Sequence, residues 1–339
     1  MKPLFLTLIL AVSLTACQAR ATAGPGPTSE TGPIPTQPFD FAPPSGTSQD
    51  KPGLVTVTAT FDSFLVLTAT PPPPPTGTPT EVPPVMRVSS LDGMPQVFIP
   101  EGAVRMGGLD VHAENDEVPD HTVKMHAFWL DQLEITNGMY RLCMQAGVCR
   151  PPQKISSPRR PSYFDNPEFQ DYPVMQVAWS DAKTYCEWAG RRLPTEAEWE
   201  RAARGDDWRT YPWGDEPPTE KYSNFDNLIR DTSRAGSYAA GASPFGALDM
   251  AGNVWEWTSD LYDSDYYLSS PENDPPGGSE SAGKYERVIR GGSFQDVAVN
   301  IRVSNRGFEL GPNPSAAYGS LEVLGRSSVK IGFRCASDP

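Results

Sequence analysis

Cysteine and histidine are the residue types in this sequence best suited to transition-metal or redox chemistry, and it contains five cysteines and three histidines. Cys17 lies close to the N-terminus, whereas the other four lie far along the chain, at Cys143, Cys149, Cys186 and Cys335. No two of them form a Cys-x-x-Cys pair, which argues against a zinc knuckle. In an exported protein, four cysteines indicate two disulfides, for which three connectivities are possible.

The histidines do not suggest a shared metal site. His121 and His126 flank a probable strand and are five residues apart, so their side chains point to opposite faces. His112 lies further upstream, and no Gly-x-Ser-x-Gly elbow accompanies any of the three. The sequence therefore favours surface or edge histidines over a metal site or a Ser-His-Asp arrangement.

The N-terminal segment has the pattern of a signal peptide. Lys2 precedes an apolar run from Leu4 to Leu14, and Leu14-Thr15-Ala16-Cys17 follows as a small-residue cleavage site. The run is shorter than the roughly twenty residues needed to cross a bilayer. A cysteine directly after the cleavage site is a lipobox. Residues 1–17 therefore predict a bacterial lipoprotein that is exported and held at the membrane, on the extracytoplasmic side, by lipid on Cys17.

The composition changes near residue 86. Residues 18–86 are rich in Pro, Thr, Gly and Ser and contain few aromatic or charged residues, which predicts a disordered tether. Residues 87–339 are dense in Trp, Tyr, Phe and Gly and are long enough to bury a large core as one domain. The net charge of −14 and the pI near 4.7 exclude a nucleic-acid partner, which would require clustered Lys and Arg.

Two helices are indicated within the domain. Ser180 can cap a helix over residues 181–189, and Thr195 with Glu198 forms a capping box for a second helix that ends near Gly205. Gly, Pro and Trp dominate elsewhere, as in Tyr211-Pro212-Trp213-Gly214-Asp215. The sequence therefore predicts a mixed α/β, loop-rich fold with short strands.

A series of motifs, in order along the domain, resembles the formylglycine-generating enzyme (sulfatase-modifying factor) family. They are Phe128–Asp131, Glu134–Asn137, Pro173–Trp179, Gly190–Glu200, Tyr211–Gly214, Gly252–Trp257, Arg290–Phe294 and Gly332–Cys335. Each motif alone is a weak signal, but the ordered set spans essentially the whole domain. The resemblance implies an α/β, loop-rich fold related to C-type lectin folds. It also implies a disulfide between Cys186 and Cys335, which leaves Cys143 to pair with Cys149.

The resemblance implies an oxidase chemistry that this chain lacks the residues to perform. Family oxidases convert a peptide cysteine to formylglycine with copper(I) held by two thiolates, which are the soft ligands that this ion requires. Asp296 and Ile301 stand at the two matching positions, so bound copper is not expected. Ser293 also matches a residue of the family's active site. We interpret it as a structural hydroxyl, and it is the remaining candidate in the cleft.

Another branch of the family uses iron held by histidines, but the histidine spacing described above does not provide such a site. Calcium is the metal that the resemblance favours, because hard oxygen ligands suit it. The first predicted set consists of Asn253, the Val254 carbonyl and Glu256, and the second of Asn224, the Phe225 carbonyl and Asp231. The alternative is that Asn253 and Glu256 satisfy buried backbone amides.

Two functions are consistent with these residues. The first is a non-oxidase binding or scaffolding module for a peptide, a glycan or a cell-envelope protein. The second is an enzyme, either an oxidase acting on protein cysteine or another chemistry that uses Asp296 and Ser293. An acidic, aromatic loop after the Gly252–Trp257 motif could contact a carbohydrate or peptide, or could be a solvated connection. Its residues are Tyr262, Tyr266, Tyr267, Asp260, Asp263 and Asp265.

Overall fold

The computed structural model describes residues 85–108, 110–279, 285–315 and 325–339. The predicted signal peptide, Cys17 and nearly all of the predicted tether lie outside these residues. In the described part of the chain, no helix is both long and apolar enough to span a bilayer.

In the part of the chain that the structure describes, ten short strands form two four-stranded sheets and a hairpin. The first sheet has the order β1-β2-β5-β10 and is antiparallel, the hairpin pairs β3 with β4, and the second sheet has the order β8-β7-β6-β9. In the second sheet β6 is antiparallel to β7 and parallel to β9. The strands are β1 Met86–Val88, β2 Pro95–Ile99, β3 Gly102–Met106, β4 His121–Met125, β5 Phe128–Asp131, β6 Trp255–Leu261, β7 Glu286–Arg290, β8 Arg306–Leu310, β9 Ile331–Gly332 and β10 Ala336–Ser337.

The described residues contain three α-helices: α1 Asn137–Gln145, α2 Trp179–Trp188 and α3 Glu196–Arg204. Helix α2 packs against β6 and α3 against both β6 and the hairpin, whereas α1 packs on α2. The predicted capping box of α3 is confirmed, because Thr195 Oγ1 accepts from the Glu198 amide at 3.1 Å and Glu198 Oε2 accepts from the Thr195 amide at 2.8 Å. The helix ends before Gly205, which has a φ of 77°. The mixed α/β, loop-rich architecture predicted from composition is also confirmed.

The predicted start of α2 was wrong by two residues. The cap position is Ala178, not Ser180, and Ser180 lies inside the first turn. Alanine offers no side-chain acceptor, so Asp181 satisfies the free end instead, with its Oδ2 accepting from the Ala178 amide at 3.3 Å. Helix α1 was not predicted, although Thr136 Oγ1 caps it by accepting from the Met139 amide at 3.3 Å.

Both predicted disulfides are confirmed: Cys186 is bonded to Cys335, and Cys143 to Cys149. The Cys186–Cys335 bond joins α2 to the segment between β9 and β10 and lies in the largest apolar cluster, which also contains Tyr185, Trp257 and Phe333. A second cluster packs α3 through Trp199 against the first sheet.

Helix α3 is buried along its length, although five of its nine residues are charged. Each charge therefore needs a partner. Arg306 donates to both carboxylate oxygens of Glu196, at 2.7 and 3.0 Å, and Arg290 contacts Glu196 and Glu200. Burial opposes ionisation of Glu196, but the guanidinium charges of Arg306 and Arg290 outweigh it and lower the pKa. The interior thus depends on paired charges as well as apolar packing.

Candidate functional site

The segment from Arg290 to Ile301 contains Asp296 and Ile301, the two positions that the resemblance matches to the thiolates of family oxidases. It begins with a turn in which Gly291 and Gly292 have φ values of 95° and 73°. A Cβ atom on Gly292 would lie 2.7 Å from the carbonyl oxygen of Asn300, so a larger residue would displace the backbone. The paired glycines therefore allow the segment to fold back on itself and set the positions of the side chains that follow.

Asp296 is held by three donors. Its Oδ2 accepts from the Trp255 indole Nε1 at 2.9 Å, from the Ser293 amide at 3.0 Å and from the Ser293 hydroxyl. Ser293 is fully buried, whereas Asp296 is partly exposed. The serine hydroxyl donates to a carboxylate that already accepts two other bonds, and these contacts tie Ser293 to Asp296 within the loop.

Ile301 is completely buried, in a cluster with Tyr211 and Ala251. The partly buried rings of Trp213 and Phe225 pack against the same cluster. All four cysteines in the described part of the chain are in disulfides. The second thiolate position is therefore occupied by apolar packing, and none of the described cysteines supplies a thiolate to this segment.

Three exposed apolar side chains, called the apolar rim below, lie on this segment and on the loop bonded to it, and the sequence did not predict them. Leu228, Ile229 and Val297 are 48, 41 and 47% exposed. The two loops that carry them are joined, because the Asp226 amide donates to the Asp296 carbonyl at 2.8 Å and the Asn227 amide donates to the Phe294 carbonyl at 2.7 Å. The adjacent Leu and Ile in an otherwise polar loop were the sequence signal that could have revealed it.

The loop that carries Leu228 and Ile229 has an unusual backbone. Asp226, Asn227 and Arg230 have φ values of 46°, 57° and 63°. Non-glycine residues in this region cost of order 1 kcal/mol each and persist where the surroundings fix them. The apolar side chains are thus presented by a loop whose conformation is set by its contacts with residues 294–296.

In the first predicted calcium set, the side-chain oxygens of Glu256 and Asn253 already accept hydrogen bonds. Both Glu256 oxygens are used, since Arg334 donates to each at 2.6 Å and the Trp199 indole donates at 2.8 Å. Asn253 Oδ1 accepts from the amide of Ser233 at 2.9 Å and from its hydroxyl at 3.1 Å. The side-chain oxygens of Asn253 and Glu256 accept hydrogen bonds from buried donors, as in the alternative interpretation of these residues. The Val254 amide donates to Glu134 Oε1 at 3.2 Å.

The second set has one free oxygen. Asn224 Oδ1 is buried and has no hydrogen-bond partner. Asp231 is already surrounded by donors, with Ser157 Oγ at 2.6 Å, the Thr232 amide at 2.8 Å and an Arg160 nitrogen at 3.4 Å. The Phe225 carbonyl accepts from the Leu228 amide at 2.9 Å. Asn224 Oδ1 could therefore receive a cation without breaking a contact, and the Phe225 carbonyl has a second lone pair that could do so as well.

Three buried carboxylates share the Arg334 region. Besides Glu256, these are Glu134, which accepts from Asn253 Nδ2 at 2.6 Å, and Asp249, which accepts from the Gly236 amide. Burial raises the pKa of Glu134 well above its usual value, and the charges of Asp249 and Glu256 raise it further. Burial also raises the pKa of Asp249 to about 6. The single guanidinium of Arg334 therefore does not hold all three carboxyls in the ionised form, and burial favours protonation of Glu134 and Asp249.

The three histidines have separate surroundings. His121 packs edge-on against Tyr267, His126 pairs with Asp274, and the His112 carbonyl accepts from Arg302 at 2.9 Å. Among the residues that the structure describes, no group of three or more His, Cys, Asp or Glu side chains is arranged to hold a metal ion.

The acidic, aromatic loop is more ordered than a solvated connection. Tyr267 and Asp260 are buried, and Asp260 Oδ2 accepts from the Glu196 amide at 2.8 Å. The Tyr262 hydroxyl donates to Asp116 at 2.7 Å, and the Tyr266 hydroxyl accepts from the Gly277 amide at 3.0 Å. Most of its aromatic residues therefore anchor the loop rather than project from it.

Comparison with known families agrees with the fold and the motifs. The profile described as "Sulfatase-modifying factor enzyme 1-like domain" matches residues 82–339. The chain belongs to the sulfatase-modifying factor enzyme 1-like family. A formylglycine-generating enzyme of Thermomonospora curvata is 32% identical over 303 residues, and that match covers 72% of this chain and 93% of the relative.

Other relatives of this sulfatase-modifying factor-like domain have different names. Hercynine oxygenase of Mycobacterium tuberculosis is 32% identical over 230 residues, and the match covers 58% of this chain and 52% of the relative. Serine/threonine-protein kinase pkn1 of Chlamydia pneumoniae is 33% identical over 260 residues, which cover 72% of this chain and 39% of the kinase. The domain thus occurs in proteins with different activities, so family membership alone does not assign one.

Solved structures share the fold of this sulfatase-modifying factor-like domain. PvdO from Pseudomonas aeruginosa superposes with a TM-score of 0.60 at 26% identity, covering 77% of this chain and 100% of PvdO. Treponema denticola variable protein 1 superposes with a TM-score of 0.58 at 21% identity, covering 76% of this chain and all of that one. The second likeness concerns the fold alone.

Proposed function

We propose that this protein is a lipid-anchored, extracytoplasmic member of the family that binds a peptide segment and does not oxidise cysteine. The observation that carries this proposal is the replacement of the thiolate pair by Asp296, which is tied to Trp255 and Ser293, and by Ile301, which is sealed in apolar packing. A carboxylate and an alkyl side chain cannot replace two soft thiolates around copper(I).

The bound segment would lie on the apolar rim formed by Leu228, Ile229 and Val297. These side chains are exposed on loops that hydrogen bonds hold to one another, so the surface is formed before the partner arrives. Asp296 lies beside the rim and uses Oδ2 for its three internal contacts, which leaves Oδ1 for a donor on the partner. The proposed partner is therefore an extended peptide with apolar side chains and a free backbone or side-chain donor.

The proposed location follows from the N-terminal motif. Lipid on Cys17 would hold the protein at the membrane, and residues 18–86 would act as a tether. Two disulfides are consistent with an oxidising compartment. Cys17→Ser is expected to move the protein from the membrane fraction to the soluble fraction, and an unchanged distribution would count against the anchor.

A relation of the fold to C-type lectin folds also stays a prediction.

Calcium stays a prediction for the Asn224, Phe225 and Asp231 set, where Asn224 Oδ1 is the buried oxygen without a partner. If calcium binds there, the melting temperature will rise when calcium is added to chelator-treated protein, and Asn224→Ala will remove the response. A melting temperature that is the same with calcium and with chelator would contradict the prediction.

The absence of oxidase activity can be tested with a sulfatase-type Cys-x-Pro-x-Arg peptide. We expect mass spectrometry to show no conversion to the aldehyde after incubation with the full chain, copper(I) and oxygen. The formylglycine-generating enzyme of Thermomonospora curvata provides the active control under the same conditions. Conversion by this protein would refute the binding-module proposal.

Binding at the rim can be tested with a peptide library displayed on phage and selected on the wild-type protein. We expect Val297→Asp to lower the retention of the selected peptides at least tenfold, because it places a charge in an apolar contact. Leu268→Asp is the matched control, since Leu268 is 71% exposed and lies outside the rim. Enrichment of no peptide, or equal retention by Val297→Asp and wild type, would argue against the site.

A further inference from the structure

A groove lies between strand β8 of the second sheet and residues 113–116, and it shares no residue with the segment from Arg290 to Ile301. It is a shallow depression with a volume of about 560 Å³ and is open to solvent over most of its extent. This volume is within the range of roughly 300–1,000 Å³ that is usual for small-molecule sites. Its walls include Glu114, Asn115, Tyr262, Ser264, Arg306 and Phe308.

One wall of the groove is an aromatic surface fixed in place. Phe308 is 50% exposed, and its ring is stacked on that of Tyr262, with centroids 4.4 Å apart and planes inclined by 26°. The Tyr262 hydroxyl is held by Asp116 at 2.7 Å, and the guanidinium carbon of Arg306 lies 5.2 Å from the Tyr262 ring centre. The exposed part of the Phe308 ring is therefore presented without further reorganisation.

The charges around the groove favour a neutral ligand. Arg306 is buried and paired with Glu196, and it also donates to the Asp116 carbonyl at 2.8 Å. A cation in the groove would face this guanidinium, whereas an anion would face the carboxylates of Glu114 and Asp116. An anion would therefore gain no free cationic partner, because Arg306 is already paired with Glu196, and a cation could pair with the exposed Glu114 but would also face the guanidinium of Arg306.

The rim of the groove offers unused polar groups. The side chains of Glu114, Asn115 and Ser264 are exposed, and they make no hydrogen bond to any residue within the described ranges. A carboxylate, an amide and a hydroxyl together provide both donors and acceptors. Their position beside an apolar ring matches a ligand that has one apolar face and hydroxyl groups around its edge.

We propose that this groove binds a neutral sugar ring, which stacks on Phe308, receives hydrogen bonds from Asn115 and Ser264, and donates a hydroxyl hydrogen bond to the carboxylate of Glu114. The apolar C–H face of a pyranose is complementary to an aromatic ring, and its equatorial hydroxyls extend towards the polar rim. This site is separate from the peptide rim, and either can exist without the other.

The experiment is saturation-transfer NMR and calorimetry on the detergent-solubilised full chain with three neutral probes: cellobiose, maltose and N,N′-diacetylchitobiose. At least one probe is expected to bind, and Phe308→Ala is expected to weaken that binding at least tenfold. Asn115→Ala, at an exposed side chain without internal contacts, is expected to weaken it several-fold with the melting temperature unchanged.

Two controls separate this site from other surfaces. Trp208→Ala removes another aromatic residue of similar exposure, 49%, which packs on Arg105 away from the groove, and it should leave sugar binding unchanged. Val297→Asp, which is designed to weaken peptide binding at the apolar rim, should also leave sugar binding unchanged. Failure of all three sugars to bind the wild-type protein would overturn the proposal. So would equal affinity of the wild type and both groove variants.

Discussion

Arg334→Met is expected to lower the free energy of unfolding by about 3 to 5 kcal/mol, which is the usual cost of removing one partner from a buried ion pair. Arg334 is fully buried and donates to both oxygens of Glu256, and the buried carboxylates of Glu134 and Asp249 interact with the same guanidinium. Methionine is similar in length but carries no charge, so Glu256 would be left without its cation.

The loss should be larger at pH 8 than at pH 5. The pKa of Asp249 is about 6 in the folded protein, above the value of about 3.9 expected for an unfolded chain. Folding therefore favours the protonated form of Asp249. The stability gained from this protonation is fully present below about pH 4 and is lost as the pH rises through about 6. Because removing Arg334 raises the pKa of the neighbouring carboxyls further, protonation at pH 5 would relieve part of the damage.

Chemical denaturation at both pH values measures this effect. Arg192→Met is the control, because Arg192 is 40% exposed and pairs with Glu198 and Asp338 near the surface. We expect it to cost about 1 kcal/mol or less. A loss for Arg334→Met that is as small as that for Arg192→Met, or that does not depend on pH, would show that the buried carboxylates do not depend on this guanidinium.

Removal of the Cys186–Cys335 disulfide by a double alanine substitution should cost up to about 5 kcal/mol in the chain-entropy model. The two cysteines are 149 residues apart, so the bond restricts a long loop in the unfolded chain. Cys143 and Cys149 are only six residues apart, and the same model gives about 2 kcal/mol for their bond. The two double variants, compared by denaturant unfolding under oxidising conditions, form a matched pair. Equal losses would contradict the loop-length explanation.

The sequence predicted those features whose physical cause is local or is carried by the ordered motifs. The capping box of α3 lies within four consecutive residues, Thr195 to Glu198, and both disulfides followed from the family resemblance. Helix α1 was missed because Gly138, a weak helix former, lies in its first turn. The start of α2 was misplaced because an acidic residue in the first turn, Asp181, takes the role usually filled by the cap residue.

The sequence could not predict which oxygens of the candidate site already accept hydrogen bonds, because the donors are remote in sequence. The sequence indicated Glu256 as a calcium ligand, but in the fold Arg334, 78 residues away, donates hydrogen bonds to both of its carboxylate oxygens. Asp231 is likewise covered by Ser157 from 74 residues away. The sequence indicates which oxygens are present, but only the fold shows which of them are already occupied.

The fully buried arginines Arg201, Arg290, Arg302 and Arg334 also bear on how such a domain can diverge. A buried apolar contact can change by single substitutions that alter the side-chain volume slightly. In a buried ion pair, a substitution that removes one charge leaves the other charge buried and unpaired. A neutral substitution at either Glu256 or Arg334 alone would leave the charge of the other residue unpaired in the interior. We therefore expect the two positions to be exchanged together across descendants, so that the interior evolves in linked pairs while the exposed rims vary one residue at a time.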